Sequence, residues 1–77
     1  MEQDVTYQGN NFQDVKAVDA KECRKLCLQH PQCAGWTWVS YEFARVDLRG
    51  NCYFKSKMEN RVYLLGAVSG TGHVKYC

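Results

Sequence analysis

Proline is nearly absent, one residue in 77, and no apolar run approaches the roughly 20 residues that a membrane-crossing helix needs. Low-complexity stretches are missing as well, which excludes a disordered tail or linker as a description of the chain. Charge of one sign is scarce: ten Lys and Arg against eight Asp and Glu leave +2, too little to argue for nucleic acid. There are two histidines, His30 and His73, and neither sits in a recognisable nucleophile–base motif. No Asn-x-Ser/Thr sequon occurs, and Met1-Glu2-Gln3-Asp4 has neither the basic nor the apolar region of a secretory signal. For an extracellular protein, this leads us to expect a module excised from a longer chain.

Cysteine, in contrast, is dense: Cys23, Cys27, Cys33, Cys52 and Cys77. A domain this small buries too little apolar surface to be secure without staples, and cysteine at this density in a short chain usually supplies them. With 45% hydrophobic and 23% charged residues, residues 1–77 read as one ordered module. The count of sulfurs is odd, so one must stay free or find a partner elsewhere.

The clearest element is a helix from Ala20 to His30. Asp19 caps it, Glu22 stands three residues on in a capping-box arrangement, and Pro31 ends it. Ala20, Cys23, Leu26, Cys27 and His30 recur at helical spacing and share one face. Trp36–Val39, Cys52–Ser56, Val62–Val68 and Val74–Cys77 are rich in aromatic and β-branched residues and read as strands, with Phe12–Val18 as a further candidate. The expected class is α+β, a small disulfide-stapled antiparallel sheet cradling a single helix.

Cys23 and Cys27 lie one turn apart with roughly parallel side-chain directions, which suits separate partners better than a mutual bridge. Cys33 follows the helix end closely enough to fold back on Cys27. Cys52 then remains for Cys23, and Cys77 is left over. The competing use of the sulfurs is a zinc site built from Cys23, Cys27, Cys33 and Cys52, or His30 in place of one; paired Cys-x-x-Cys knuckles are missing. His30 is read more simply as a helix C-terminal residue interacting with the dipole.

These residues resemble the PAN/apple domain family. The resemblance runs through Tyr7-Gln8-Gly9, Ala20-Lys21-Glu22-Cys23 to Leu26-Cys27, Pro31-Gln32-Cys33, Trp36-Thr37-Trp38, Cys52-Tyr53-Phe54-Lys55 and Val68-Ser69-Gly70 before Cys77. It implies a sheet cradling one helix, with bridges matching Cys23–Cys52 and Cys27–Cys33. It also implies a third bridge from Cys77 to a cysteine at or just ahead of Met1, which this chain does not contain. The 41 to 51 connection and the Gly-Trp-Thr-Trp segment look more like the apple repeats of apicomplexan microneme adhesins than those of plasma prekallikrein and factor XI. In function, the resemblance implies a non-catalytic, secreted or extracellular module that binds proteins or carbohydrates, stored in the microneme if the adhesin likeness holds. Its expected partners are a host-surface or plasma glycoprotein, or a glycan, and neighbouring apple domains of the same chain. No cofactor, metal, nucleic acid or membrane insertion is expected. The alternatives are a protein-docking domain of a serine-protease zymogen and a lectin domain binding a specific sugar.

Within the module, Tyr41, Phe43, Arg45 and Arg49 are the candidate binding residues, because a connecting segment with aromatics beside arginines carries the residue types that dominate interfaces. Trp36 and Trp38 share one strand face and read as core under the helix, with a sugar-stacking platform as the alternative. Lys21, Arg24, Lys25, Lys55, Lys57 and Arg61 are candidates for a sulfated-glycan patch, weighed against a scattered solvated face. A thiol nucleophile at Cys77 with His73 would stand at a chain terminus, where positioning is poor. Cys77 is therefore expected to react with a thiol reagent while the fold survives, and upstream extension to include a cysteine should protect it and raise Tm. A Cys77 already bonded within the 77 residues would contradict this assignment.

Overall fold

The computed structural model describes residues 1–72, arranged as five strands, one α-helix and a short 3-10 turn. Strands β1 (Glu2–Tyr7) and β2 (Asn11–Lys16) precede helix α1 (Ala20–Leu28), and β3 (Gly35–Val39), β4 (Asn51–Lys55) and β5 (Arg61–Thr71) come after it. Every pairing is antiparallel, in the order β1-β5-β3-β4-β2. The α+β class is as the sequence implies.

The helix begins where its capping residues put it. Asp19 is extended, and its Oδ1 accepts from the Glu22 N–H at 2.8 Å, while the Glu22 carboxylate accepts from the Val18 N–H at 3.1 Å. That reciprocal arrangement satisfies N–H groups which helix geometry leaves without partners. The end falls earlier than the sequence suggests: α1 stops at Leu28, and His30 lies in the turn beyond it, where its Nδ1 accepts from the Gln32 N–H. Its ring packs 5.0 Å from Phe12 and 6.1 Å from Phe54, so aromatic packing holds it just past the helix end.

Two bridges join the helix to its surroundings. Cys27–Cys33 closes the turn after the helix, and Cys23–Cys52 ties the helix to β4. These are the pairs that helical spacing implies. All four sulfurs are consumed, which leaves none as a thiolate for the zinc alternative. Around them packs the core under the helix: Trp36, Trp38, Phe54 and Val68, with Ala17 and the partly buried Val15, Ala20 and Leu26. Both tryptophans are core, as expected. The Trp38 indole donates to the Ala17 carbonyl at 3.0 Å, whereas the buried Trp36 Nε1 has no partner among the described residues.

Several strand expectations need correction. β1 carries no strand signal in the sequence, because only Val5 of its residues is buried and polar residues fill most of the strand. The Phe12–Val18 candidate is β2, Asn11–Lys16. β5 extends past Val68 to Thr71, since β3 pairs with it as far as Gly35↔Thr71. The expected strand Val74–Cys77 and the sulfur of Cys77 lie outside the described residues.

The sheet curls for a simple reason. β1 and β2 are its two outer strands, yet only Gln8, Gly9 and Asn10 join them. Five flat strands would hold the outer pair about 19 Å apart, at about 4.8 Å per neighbour. The four steps from Tyr7 to Asn11 span at most about 14 Å. The edges must therefore bend toward each other, and Gly9 (φ +81°) and Asn10 (φ +61°) supply the left-handed backbone of the link. One face of the curl is filled by the helix; the other is left concave.

The bridges should contribute unequally. In the chain-entropy picture the 29-residue separation is worth about 3.5 kcal/mol and the 6-residue one about 2 kcal/mol. Replacing Cys23 and Cys52 by alanine should thus lower urea stability more than replacing Cys27 and Cys33. Non-reducing peptide mapping should recover both pairs and no Cys23–Cys27 linkage.

Candidate functional site

Residues on the concave face alternate with those under the helix, as strand geometry requires. β3 contributes Thr37 and Val39, β4 contributes Tyr53 and Lys55, and β5 contributes Ala67 and Ser69. Beneath the face runs a chain of buried hydroxyls. Ser69 Oγ donates to the Val5 carbonyl at 2.6 Å, so its single proton is spent, and the 2.7 Å contact with Thr37 Oγ1 has Thr37 as donor. This chain links β3, β5 and β1 across the floor.

Above the floor lies a cavity of about 390 Å³. All five strands reach it: Tyr7 from β1, Asn11 from β2, Thr37 from β3, Tyr53 and Lys55 from β4, and Leu64 from β5. Phe43 and Leu48 close one side from the connection between β3 and β4. The rim is held by hydrogen bonds to the β1–β2 link. Ser56 N–H donates to the Asn10 carbonyl at 2.9 Å, and Asn10 Nδ2 donates to Glu59 at 3.2 Å.

Lys55 dominates the electrostatics. It is only 2% exposed, and its ammonium donates to the Gly9 carbonyl at 3.3 Å and to Asn11 Oδ1. No carboxylate among the described residues pairs with it. Burial pushes its pKa below the ordinary lysine value of 10.5. An ammonium carries three protons, and two acceptors are present among the described residues. The cavity therefore has a cationic donor in its wall, next to aromatic rings and hydroxyls.

Of the basic residues singled out from sequence, Lys21, Arg24, Lys25 and Lys57 are exposed, and two others have their own places. Lys55 belongs to the concave face and is buried, which removes it from any exposed cluster. Arg61 pairs with Glu2 at 2.5 Å. The Glu2 carboxyl is held below its usual range, first by the Tyr7 hydroxyl and then by Arg61, and the Tyr7 hydroxyl is raised by the same carboxylate.

The four candidate binding residues of the connecting segment are only partly brought together. Phe43 enters the cavity wall, and Arg49 Nε donates to the Phe43 carbonyl at 2.7 Å. Arg45 stands outward in a solvent-exposed pair with Asp47 at 3.0 Å. Tyr41 goes to the other face, where its ring meets Trp38 edge-on at 5.6 Å. The segment crosses from one face to the other because it packs over Gly66 (φ +92°). A Cβ there would stand 2.9 Å from the Phe43 backbone, so only glycine fits. The pair Cys77 and His73 lies outside the described residues.

Sequence reasoning misses the cavity because a lysine at the end of a strand reads as exposed. A signal is present all the same: with Cys52 and Phe54 turned to the helix, Tyr53 and Lys55 must face the other way.

A disulfide-stapled antiparallel sheet with one helix on one face and an open cavity on the other defines a small binding scaffold. A family model, described as PAN domain, matches residues 5–55, a span from β1 through the four bridged cysteines to Lys55. The chain belongs to the PAN/apple family. PAN domains are typically non-catalytic, extracellular modules that bind proteins or carbohydrates. Two disulfides fit that oxidising setting. No helix among the described residues is long and apolar enough to cross a membrane.

Burial of Lys55 has a testable pH signature. Its folded pKa is depressed, so as pH climbs through that value toward 10.5 the unfolded chain holds more protons than the folded one, and stability rises. Urea unfolding across alkaline pH should show wild type gaining stability relative to Lys55→Met in that window. A flat difference would show that Lys55 is solvated, and a falling one that the fold stabilises its ammonium; either would contradict the burial account.

Proposed function

We propose that this module is a non-catalytic carbohydrate-recognition repeat of an extracellular adhesin, and that it holds a glycan of a host-surface or plasma glycoprotein in the concave cavity at Lys55. The carrying observation is the buried ammonium with two acceptors among the described residues, which leaves a charge-assisted donor for a ligand oxygen. Tyr7 and Tyr53 offer rings for the apolar face of a sugar, and Thr37 and Asn11 offer polar groups beside them. The likeness of Gly-Trp-Thr-Trp and of the 41 to 51 connection to microneme adhesin repeats supports the role in host-cell attachment. Repetition would then raise avidity, since linked weak sites bind together without any one being strong.

A second reading is protein docking through Tyr41, Phe43, Arg45 and Arg49, as in a zymogen's regulatory domain. The exposure of Tyr41 and Arg45 favours it.

A tandem array of the module should bind members of a glycan array, and Lys55→Met should weaken that binding by about tenfold or more while both disulfides persist. Arg45→Ala, which removes a solvent-exposed pair with Asp47, should leave it unchanged. Retained glycan binding in Lys55→Met would reject the cavity as the site. Loss of a glycoprotein ligand only in the Tyr41, Phe43, Arg45 and Arg49 alanine variant would favour docking.

A further inference from the structure

A second cleft lies on the opposite side of the sheet, at the N-terminal end of α1, with a volume of about 330 Å³. Its lining includes Trp38, Tyr41, Asp4, Glu42 and Gln3. Tyr41 stands edge-on to Trp38, which is itself 7% exposed, while the Tyr41 ring remains 59% exposed. The cleft thus has one anchored aromatic and one aromatic face turned to solvent.

Asp4 and Glu42 line this cleft together with Tyr41, and no basic side chain among the described residues does; Lys16 and Arg49 line a separate cleft that Tyr41 shares. Among the described residues the Glu42 carboxylate takes no hydrogen bond or ion pair, and Asp4 uses only Oδ1, which accepts from the Gly66 N–H at 3.0 Å. Asp4 is held there by a left-handed backbone (φ +58°) at the point where the β1–β5 register shifts. The chain as a whole is positive, +2, so this cleft runs against the overall sign. The partial positive charge of the nearby helix end is already answered by Asp19 and Glu22, so it does not oppose a cation.

We infer that the Trp38–Tyr41 cleft is a docking slot for an arginine side chain of a partner protein. The guanidinium would lie on the exposed Tyr41 ring, and its N–H donors would face Glu42 and the free oxygen of Asp4. Arginine fits better than lysine because a planar, weakly hydrated cation both stacks and donates in a fork, whereas an ammonium only does the second. This surface is separate from the Lys55 cavity, so the module can engage a protein and a glycan on opposite faces. It gives Tyr41 a role that Phe43, Arg45 and Arg49 do not share.

The test is an NMR titration of the 77-residue chain with three probes: Nα-acetyl-arginine amide, Nα-acetyl-lysine amide and the uncharged Nα-acetyl-norleucine amide. The arginine probe should shift the amides of Tyr41, Glu42 and Gly66 and the Trp38 indole N–H, more than the lysine probe does, and the norleucine probe should leave them in place. Tyr41→Ala should weaken the arginine response about three- to fivefold. Glu42→Gln, which alters only a solvent-facing group, should also weaken it, and added salt should do the same. Equal shifts from norleucine, shifts centred elsewhere, or an unchanged response in Glu42→Gln with its fold intact would overturn the inference. The Lys55→Met variant should respond as wild type does, which keeps this result independent of the glycan reading.

Discussion

The Cys23–Cys52 bridge sets the phase of β4, and much of the molecule depends on that phase. Once Cys52 is tied to the helix, Phe54 must also face the helix, and Tyr53 and Lys55 must face away. A slip of one residue would exchange the two sets, placing a phenylalanine in the concave cavity and an ammonium under the helix. The bridge forbids it. Because β4 pairs with both β3 and β2, the same constraint fixes which side chains of those strands look into the cavity. A covalent link on one face thereby determines the chemistry of the other.

Lys55 serves the architecture directly, and recognition as well in the function proposed above. By donating to Gly9 and Asn11 it pulls the short β1–β2 link over the end of β4, and the link in turn curls the sheet. An ammonium removed from water without a counter-charge is a costly group to keep. The fold offsets part of that cost with two acceptors among the described residues, and the proposed ligand oxygen would offset more of it. The helix side obeys the opposite principle: sulfur, indole and aliphatic groups fill it, with Trp38 satisfied by Ala17. The two faces thus differ in chemistry, sulfur and indole under the helix and hydroxyls with a buried ammonium opposite, and the connecting segment passes between them, with Tyr41 against Trp38 and Phe43 in the cavity wall.

Much of this is legible in the residues, but unevenly. Asp19 and Glu22 announce the helix start because capping is local chemistry. The cysteine pairs can be reasoned from spacing, since a helical turn limits which sulfurs can meet. β1 is invisible because an edge strand with one buried residue has no hydrophobic period to read. The cavity is half legible: alternation turns Tyr53 and Lys55 away from the helix, but Lys55 becomes buried only when the sheet curls, and the curl comes from a three-residue link between strands that are not neighbours. The dispersal of Tyr41, Phe43, Arg45 and Arg49 cannot be read either, because it depends on Gly66, distant in sequence, letting the segment pass.

The claim on which the rest turns is that the concave face, and not the helix, meets the glycan. Hydrogen-exchange mass spectrometry of the tandem module, with and without its best array glycan, tests this most directly. The account predicts slowed exchange in the peptides that carry Tyr7–Asn11 and Tyr53–Lys55, with α1 unchanged. Protection confined to Ala20–Leu28 would contradict it.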